Sequence, residues 1–367
     1  MKIAVDIREA SGEKAGKGFY THELMTHLLK LDQENEYILY TDSVNCPFTN
    51  IPNCTVITIL KKGISWHLKV LKDLKKIRPN LFFAPTSYII PSLAPKWLKT
   101  IITVHDLVSF IFPTTHKAKA TLIERLTLKK ALKKTSKVFV VSENTRKDLI
   151  KMFDYPKTNI ALVPCSASDF YKVEINPKEA EATQKKYQLP ARFILAVGTL
   201  EPRKNFTNVI KSFVILKRKY SDLKLVIVGK PGWKYHEIER AVKSYQLENE
   251  VVFLGYVQSH ELNQIYHLAT VFVFPSLYEG FGIPPLEAMS SGCPVVSSNL
   301  ASMPEVIGDA GLLIDPKSAV KIADAISSLL ENPQLRTMLI ERGYRRSQKF
   351  SWENSAKAAL EVFNEYS

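Results

Sequence analysis

Two carboxylates of this 367-residue chain, Glu279 and Glu287, lie in the stretch "YEGFGIPPLEAMSSGCPVV" at positions 278–296. The apolar run "VFVFPS" before them predicts a strand, and "PPLEAMSSG" predicts a helix with proline in its first turn and Gly292 just past its end. Between them lies a loop in which Gly280 and Gly282 let a ligand approach the backbone closely. The loop N–H groups and the positive helix terminus would favour a phosphate there.

The spacing of the two acids indicates contacts with separate parts of one ligand. We place Glu279 on the loop and Glu287 in the first helical turn. Carboxylates accept hydrogen bonds in pairs, and a sugar or ribose presents vicinal hydroxyls, so two acids beside a phosphate site favour a sugar nucleotide. A structural interpretation stays open, in which Glu287 stabilises the helix N-terminus and Glu279 caps the loop.

A second possible anion site follows another strand, in "VGTLEPRKNF". Arg203 and Lys204 are adjacent cations at the strand end, and Asn205 is expected to cap the next helix. Two cations beside a helix N-terminus suit a diphosphate. Adjacent Arg and Lys are common on surfaces, but this pair and the glycine loop both follow strands of the same half of the chain.

Weaker signals lie in the first half of the chain. The stretch "SGEKAGKGFYTHEL" places Gly12, Gly16 and Gly18 after a strand, with a helix expected from about Phe19. Such a loop can reach a phosphate, although its spacing is neither that of a Walker loop nor that of a dinucleotide fingerprint. His105 ends a further strand in "TVHDL", where a structural role and a contact with a sugar or an acceptor are both open.

Short apolar strands alternate with helical segments, which is typical of parallel α/β domains. The runs "KIAVDI", "EYILYT", "LFFAP", "TIITVHD", "KVFVVS" and "NIALVP" precede a polar stretch, and the pattern restarts at "FILAVGT". We therefore predict two doubly wound domains, 1–170 and 171–350, and a last amphipathic helix within 351–367. Ligands of such domains bind at the carboxyl ends of the strands.

Composition limits the class of protein. Four cysteines without a C-x-x-C pair suggest neither a zinc site nor a disulfide scaffold and fit a reducing cytoplasm. The start "MKIAVDI" lacks the long apolar region of a secretory signal, and apolar runs are too short to span a bilayer. The net charge of +14 favours anionic partners such as nucleic acid, phosphorylated small molecules or lipid.

Two segments of the first half are strongly basic. "KKGISWHLKVLKDLKKIR" has seven Lys or Arg against one Asp, and "THKAKATLIERLTLKKALKKTSK" has eight against one Glu. In the first, Trp66, Val70, Leu74 and Ile77 are spaced to form one apolar stripe. Both helices could lie on an anionic membrane or face a phosphorylated acceptor, or they could be solvated helices on a domain core.

The ordered set "GKGFYTHEL", "VHDL", "VSENTRKDL", "GTLEPRKN", "LGYVQSHEL" and "EGFGIPPLE" resembles retaining glycosyltransferases of family 4. The resemblance covers nearly the whole chain and implies the GT-B fold: two Rossmann-like domains facing across a cleft, with a C-terminal helix crossing back to the N-terminal domain. Within the family the chain is most similar to bacterial mannosyltransferases of O-antigen and other surface polysaccharides. The turn "VPCSASDF" departs from the "VPNGVD" of many relatives.

The resemblance implies a role for each matching residue. Glu279 would hold hydroxyls of the transferred sugar, and Glu287 the nucleotide ribose. Arg203 and Lys204 would neutralise the leaving diphosphate, and His105 would lie at the transferred sugar near the acceptor hydroxyl. The remaining donor contacts would come from backbone amides, namely those of Gly18, Gly280, Phe281, Gly282 and Ile283.

The implied chemistry needs no metal. No D-x-D motif occurs, and Arg203 and Lys204 could take the electrostatic role that a divalent ion plays in other glycosyltransferases. Fixed cations at the diphosphate lower the barrier as negative charge develops there. Because the second acid is assigned to ribose, front-face attack is favoured over a double displacement between two carboxylates.

Donor and acceptor remain expectations. GDP-mannose is the first choice of donor, followed by UDP-glucose and UDP-N-acetylglucosamine, with a glycan or lipid-linked acceptor at the cytoplasmic face of the membrane. A GT-B sugar-nucleotide epimerase and a periplasmic-type binding protein are the rival functions, and DNA glycosylation is conceivable. No nucleic-acid-binding signature is present, so we expect no nucleic-acid partner.

Overall fold

The computed structural model describes residues 1–11, 16–112, 118–172 and 175–367. Gly12 and residues 115–117 of the second basic segment therefore lie outside the described residues.

The described chain divides into two compact units, Met1–Cys165 with Ser351–Ser367, and Ser166–Phe350. The sequence boundary at residue 170 thus falls slightly inside the second unit. That short segment is fixed there in part because the Asn263 amide donates to the Phe170 carbonyl at 3.1 Å.

One parallel sheet forms the centre of the first unit. Its strands are β1 (Lys2–Asp6), β2 (Glu36–Thr41), β3 (Cys54–Thr58), β4 (Leu81–Ala84), β5 (Lys99–Val104), β6 (Lys137–Val140) and β7 (Ile160–Leu162). Within the described residues they pair in the order β3-β2-β1-β4-β5-β6-β7. The sequence runs predicted all of them except β3, an edge strand whose side chains are at most half-buried.

Helices cover both faces of this sheet. They are α1 (Gly16–Leu31), α2 (Ile64–Ile77), α3 (Ile89–Leu93), α4 (Val108–Ile111), α5 (Ala118–Leu132) and α6 (Glu143–Phe153). The predicted stripe of α2 is confirmed: Trp66, Val70 and Leu74 are buried in the core, and Ile77 packs against it. The described part of helix α1 includes Gly16 and Gly18, so these two glycines lie on the helix rather than on a loop before Phe19.

A second parallel sheet forms the centre of the second unit. Its strands are β8 (Phe193–Val197), β9 (Lys224–Val228), β10 (Val251–Gly255), β11 (Val271–Phe274), β12 (Val295–Ser298) and β13 (Gly311–Ile314). In the described part of this unit they pair in the order β10-β9-β8-β11-β12-β13. Every strand matches an apolar run of the sequence. These strands are mostly buried because helices lie on both faces, as in other doubly wound sheets.

The polar stretch at the start of the second unit is partly helical. The helices of the second unit are α7 (Pro177–Lys186), α8 (Phe206–Lys217), α9 (Tyr235–Ser244), α10 (Ser259–Leu268), α11 (Ile283–Ser290), α12 (Met303–Ile307), α13 (Ala319–Glu331) and α14 (Pro333–Ser347). The Asn176 side chain caps α7 by accepting from the Lys178 N–H, and Pro177 occupies the first helical position. This start signal explains why a helix forms in a segment with few apolar residues.

The last helix, α15 (Trp352–Asn364), belongs to the first unit. Its Trp352 ring packs edge-on against Phe19 and Tyr20 of α1, and Phe363 packs against Phe83 and Phe139 of the sheet. Burial of these large rings fixes the C-terminal helix on the N-terminal domain.

Each sheet reverses its winding once. The strand order changes direction between β1 and β4 in the first unit, and between β8 and β11 in the second. Ligands of doubly wound folds bind at such switch points, beside the carboxyl ends of the strands. Among the described residues, no helix is both long and apolar enough to cross a membrane.

Candidate functional site

The candidate donor site is formed by two loops that leave adjacent strands at the switch point of the second sheet. One loop follows β8 and carries Arg203 and Lys204, and the other follows β11 and carries Glu279. The Leu277 N–H donates to the Arg203 carbonyl at 2.9 Å, and the Ser276 hydroxyl oxygen lies 3.2 Å from the same carbonyl oxygen. These bonds join the two loops and bring residues 75 positions apart into contact.

Glu279 lies between both cations. One carboxylate oxygen accepts from Lys204 Nζ at 2.6 Å and from the Ser276 hydroxyl at 2.6 Å. The other oxygen lies 2.8 Å from Nη1 of Arg203. The sequence placed this acid and the two cations at separate parts of a ligand, whereas the structure combines them in one buried cluster.

A further acid, Glu201, completes this cluster. Arg203 donates from Nη2 to Glu201 at 2.7 Å and from Nη1 to the Tyr278 carbonyl at 2.6 Å. Lys204 Nζ also lies 4.9 Å from the centre of the Phe274 ring, a cation–π distance. The two acids and two cations carry no net charge together, which lowers the cost of burying the acids while the cation side chains stay only 12% exposed.

The electrostatics of the cluster keep Glu279 ionised. Burial alone would raise the pKa of this carboxyl, but Arg203 and Lys204, with hydrogen bonds from Lys204 and Ser276, lower the pKa to about 2. Burial lowers the pKa of Lys204, and Glu279 opposes that change. At neutral pH the site therefore holds a fixed carboxylate beside two fixed cations.

A buried serine fixes the backbone of the glycine loop. The Ser302 hydroxyl is within hydrogen-bond distance of the carbonyls of Glu279 (2.9 Å) and Phe281 (2.6 Å). Gly282 has a φ of 117°, a backbone conformation that residues with a side chain rarely adopt, so this position favours glycine. The Phe281 ring packs edge-on against Phe350, so it contributes to the packing of the loop.

Helix α11 offers fewer amides to an anion than its position suggests. The first four N–H groups of a helix lack partners within the helix, but Pro284 and Pro285 have no N–H to offer. The amides near the start of α11 are therefore mainly those of Gly282, Ile283 and Leu286. An anion at this loop would therefore meet positive charge mainly from Arg203 and Lys204.

Glu287 lies in the second turn of α11, not in the first as the sequence analysis expected. The Tyr266 hydroxyl donates to its carboxylate at 3.0 Å, and Tyr171 is a second hydrogen-bond donor to it. Burial raises the pKa of Glu287 to about 7, and the hydrogen bonds from the two tyrosines oppose this increase. Stabilisation of the helix N-terminus no longer accounts for this residue, because the carboxylate is buried and costly to ionise.

This costly carboxylate predicts a pH-dependent stability. The pKa of Glu287 is about 7 in the folded state against an ordinary 4.5, so its stabilising contribution is complete below pH 4.5 and is lost as the pH rises through 7. Replacing Glu287 by Gln should therefore stabilise the protein at pH 8 by on the order of 3 kcal/mol, and by almost nothing at pH 4.5. Urea unfolding of both proteins from pH 4.5 to 8 measures the difference.

Glu261 of α10 provides the matched control for this series. Burial alone would raise the pKa of Glu261, but bonds from Lys186 and Tyr187 lower it below the ordinary value. The Glu261→Gln variant should accordingly lose stability relative to the wild type above pH 4.5, the opposite trend. A Glu287→Gln difference that is constant across this pH range would contradict the prediction.

The structure places two further predicted residues in the first unit. Gly18 is in the first turn of α1, not on a flexible loop, and a Cβ at Gly18 would meet the Glu9 carbonyl oxygen at 2.2 Å. His105 is buried after β5, where its Nε2–H donates to the Pro85 carbonyl at 2.7 Å and its ring contacts Tyr20 edge-on.

His105 is neutral at physiological pH. Burial lowers its pKa to about 4, helped by the nearby Lys17 and opposed by the bond to the Pro85 carbonyl and by Asp106. Because Nε2 carries the proton, Nδ1 has a lone pair and can accept a hydrogen bond from a hydroxyl. Sequence reasoning could not assign this tautomer.

Some site residues were not predicted, and one was given the wrong role. Glu201 stands two positions before Arg203 in the printed motif, so its position was a usable signal. Tyr266 and Tyr171 reach Glu287 only through the tertiary fold. Asn205 lies at the start of α8, but its side chain does not cap that helix. Its amide instead donates to the carbonyls of Pro275 and Pro316, at 3.0 and 2.7 Å.

Each half of the chain matches a family of known glycosyltransferases. Residues 178–346 match the family described as Glycosyl transferases group 1, and residues 16–167 match Glycosyltransferase Family 4. Over 304 residues the chain is 32% identical to the O-antigen chain mannosyltransferase B of Escherichia coli, covering 82% of this chain and 76% of that protein. It is 29% identical to the serotype-specific mannosyltransferase WbdA of Escherichia coli, over 75% of this chain but only 34% of that longer protein.

A solved structure shares the fold. The Anabaena protein HepE, in complex with UDP-glucose, matches with a TM-score of 0.81 at 18% identity, with 100% of each chain covered. Two Rossmann-like parallel-sheet domains of this kind define the GT-B class. The second half matches the group 1 model and the first half the Family 4 model, and a relative with 32% identity spans 82% of the chain. The chain therefore belongs to this family of glycosyltransferases and is a glycosyltransferase.

Proposed function

We propose that this glycosyltransferase moves mannose, with retention of configuration, from GDP-mannose to a glycan or lipid-linked acceptor in surface polysaccharide synthesis. The observation that carries the proposal is the buried cluster in which ionised Glu279 lies between Arg203 and Lys204 at the switch point of the second sheet. Mannose as the sugar is supported by relatives named as mannosyltransferases, which are 29–32% identical to this chain.

Different residues of the second unit would bind different parts of the donor. Arg203 and Lys204 would bind the diphosphate, with the amides of Gly280, Phe281, Gly282 and Ile283 beside them. Glu279 would then exchange part of its contact with the cations for hydroxyls of the transferred sugar. Glu287 would accept hydrogen bonds from the ribose hydroxyls.

Entry of the diphosphate has an electrostatic consequence. The four charged side chains of the cluster balance one another, so a bound diphosphate would add negative charge that Arg203, Lys204 and the loop amides would have to compensate. Such fixed donors act most strongly on the leaving group, where negative charge grows as the bond to the sugar breaks. The cluster is thus suited to stabilise the departing diphosphate more than the intact donor.

In the front-face mechanism, the bond between the anomeric carbon and the diphosphate oxygen breaks while the acceptor oxygen bonds to the same face of that carbon. The leaving oxygen takes the acceptor proton. Glu279 would stabilise the positive charge on the sugar. His105 would accept a hydrogen bond from a sugar hydroxyl through Nδ1, and its pKa of about 4 makes it a weak competitor for the acceptor proton. Gly18 would supply a backbone amide from the first turn of α1.

A UDP-sugar is the alternative donor. The specific observation in its favour is the fold likeness to HepE, which was solved in complex with UDP-glucose. Thermal shift and calorimetry with GDP, UDP, GDP-mannose, UDP-glucose and UDP-N-acetylglucosamine separate the two possibilities, because a ligand that binds only the folded state raises its apparent stability. Selective stabilisation by GDP and GDP-mannose is expected, and a response to none of the five would reject the donor site.

We further propose that transfer is independent of divalent metal. Among the described residues, no three His, Cys, Asp or Glu side chains converge as a possible metal site. The proposal is supported by Arg203 and Lys204, which already supply positive charge where a metal would act. Activity in EDTA should remain within about twofold of the untreated enzyme. A strong increase when Mg²⁺ or Mn²⁺ is added back would contradict it.

We also propose that the enzyme works at the cytoplasmic face of the membrane. On α2, Lys69, Lys72 and Lys76 are exposed, whereas the one acid of this helix, Asp73, bonds to the Tyr40 hydroxyl at 2.9 Å. On α5, the exposed apolar residues Leu122, Ile123 and Leu126 precede the exposed Lys129 and Lys130, and the exposed Lys133 directly follows the helix. Apolar residues followed by lysines suit insertion at an anionic lipid surface.

Vesicle sedimentation tests this association. Vesicles with anionic lipid should bind the protein about tenfold better than neutral ones, and Lys72→Glu with Lys76→Glu should remove most of the difference. The control is Lys321→Glu in the second unit, an exposed lysine on α13. Equal binding to both kinds of vesicle would contradict the proposal.

A further inference from the structure

A second polar cluster lies at the switch point of the first sheet and has no part in the donor site. Arg8 follows β1, the strand on one side of that switch point, and β4 is on the other side. Switch points are where doubly wound folds bind ligands. The proposed roles of His105 and Gly18 leave this position without an assigned function.

The guanidinium of Arg8 is held rigidly. Asp6, the last residue of β1, is almost fully buried and accepts from Arg8 Nε at 2.9 Å and from Nη2 at 2.7 Å. The guanidinium carbon lies 3.8 Å from the centre of the Trp66 ring, so the side chain is stacked as well as paired. A long flexible side chain fixed in this way loses little further freedom when it binds a ligand.

His67 accepts a further hydrogen bond from the Arg8 guanidinium. Its Nδ1–H donates to the Gly63 carbonyl at 2.9 Å, which leaves Nε2 to accept from Arg8 Nη2 at 3.2 Å. The N–H groups of Arg8 Nε and Nη2 therefore all have hydrogen-bond partners. Nη1 has no hydrogen-bond partner among the described residues, and 17% of the side chain is exposed.

The charge around Arg8 selects the kind of ligand. Asp6 neutralises the guanidinium directly, and Glu9 and Asp42 add negative potential nearby. A phosphate would be opposed by three carboxylates, whereas an uncharged hydroxyl can accept from Nη1 without that cost. We propose that Arg8 is an acceptor-binding residue whose Nη1 donates to hydroxyl oxygens of a neutral sugar in the acceptor glycan.

The position of Arg8 in the sheet agrees with this role. Strands β1 and β5 are separated by β4, so their carboxyl ends, which carry Arg8 and His105, lie about 10 Å apart across the sheet. A glycan with two sugar rings can span that distance. The sugar ring that Arg8 binds would therefore be the neighbour, within the acceptor glycan, of the sugar ring that receives the new bond.

The inference rests on the proposed transfer to a glycan, and its test separates the two. Binding of octyl α-mannoside, β-glucoside, β-galactoside and N-acetyl-β-glucosaminide is measured by calorimetry for the wild type, Arg8→Gln and Arg8→Lys. GDP and UDP binding are measured in parallel. Arg8→Gln should weaken glycoside binding about 10- to 100-fold, the range for hydrogen bonds to a charged group, and leave nucleotide affinity within about twofold. Arg8→Lys should not restore it, because Lys lacks the fork that Asp6 orients.

Two further variants separate binding from folding. Arg78→Gln is the matched control, since Arg78 also stacks on a tryptophan, Trp97, but precedes β4 at the opposite edge of the sheet. It should bind glycosides like the wild type. Asp6→Asn keeps the guanidinium but loosens its orientation, so it should also weaken glycoside binding while nucleotide affinity is retained.

Several results would overturn the inference. A wild type that binds a nucleotide but none of the four glycosides would refute it while sparing the donor site. Unchanged glycoside affinity in Arg8→Gln, or equal loss of glycoside and nucleotide affinity, would assign Arg8 to structure alone. Glycoside binding without any nucleotide binding would reject the proposed transfer and keep the sugar site. A failure to bind either ligand would reject both.

Discussion

Replacing Glu279 by Gln is expected to lower kcat about 100- to 1,000-fold and to leave the affinity for the nucleotide within about threefold. Gln has the shape of Glu but no charge, so it cannot stabilise the positive charge that develops on the transferred sugar. The nucleotide contacts proposed for Arg203, Lys204 and Glu287 remain in place. Steady-state kinetics with the donor found by the nucleotide screen, together with calorimetry of the free nucleotide, give the two quantities.

Stability must be separated from catalysis here, because Glu279 pairs with two buried cations. Removing one partner of a buried ion pair costs about 3–5 kcal/mol, so Glu279→Gln should also lower the free energy of unfolding. Glu201→Gln is the matched control, since Glu201 pairs with the same Arg203 at 2.7 Å and is equally buried. We expect a similar loss of stability in both variants but a kcat within about tenfold of the wild type for Glu201→Gln.

A different pattern would support a structural role for the cluster. If both variants lost stability and kcat to the same extent, the carboxylate of Glu279 would have no catalytic function beyond holding the loops together. If Glu279→Gln mainly weakened nucleotide binding, the acid would instead organise Arg203 and Lys204 for the diphosphate. The comparison therefore tests the assignment of Glu279 to the sugar, not only its importance.

Most of the fold followed from the sequence because its strands are short, apolar and separated by helices. The apolar runs predicted every described strand except β3, whose side chains are only partly buried and so lack a continuous apolar pattern. Helix α7 was missed for a related reason, since its residues are mostly polar and only Asn176 and Pro177 signal its start. In both cases the tertiary fold supplies what local patterns do not.

The residues of the candidate site could be selected from the sequence, but the contacts among them could not. Strand ends and glycines located Glu279, Arg203 and Lys204, yet nothing local indicates that the acid binds both cations across 75 positions. The pKa of Glu287 depends on burial and on Tyr171 and Tyr266, which belong to separate segments. The two loops lie close together because the strands before them, β8 and β11, are neighbours in the sheet. These strands are far apart in the sequence, so the sequence pattern does not show that they are neighbours.

Substituting Met for Lys204 should reduce kcat about 1,000-fold, the second large effect that the site predicts. Methionine fills the space of the alkyl chain beside Gly198 and Phe274 but removes the charge that the leaving diphosphate needs. The loss should fall mainly on kcat, because negative charge on the diphosphate is greatest as the sugar departs. Kinetics and nucleotide binding of the purified variant check this.

Lys224→Met is the control that makes the Lys204 result specific. Lys224 begins β9 of the same sheet at the opposite edge, where it pairs with Glu250 at 3.1 Å. It should keep kcat within about twofold of the wild type, because a partly exposed ion pair contributes little to stability and lies far from the strand ends that hold the loops. Removing Lys204 also leaves Glu279 paired with Arg203, so the carboxylate stays charged. A Lys204→Met enzyme that transferred sugar at the wild-type rate would show that Arg203 and the loop amides are enough to compensate the charge of the diphosphate. Charge compensation without a metal would then depend on those groups alone.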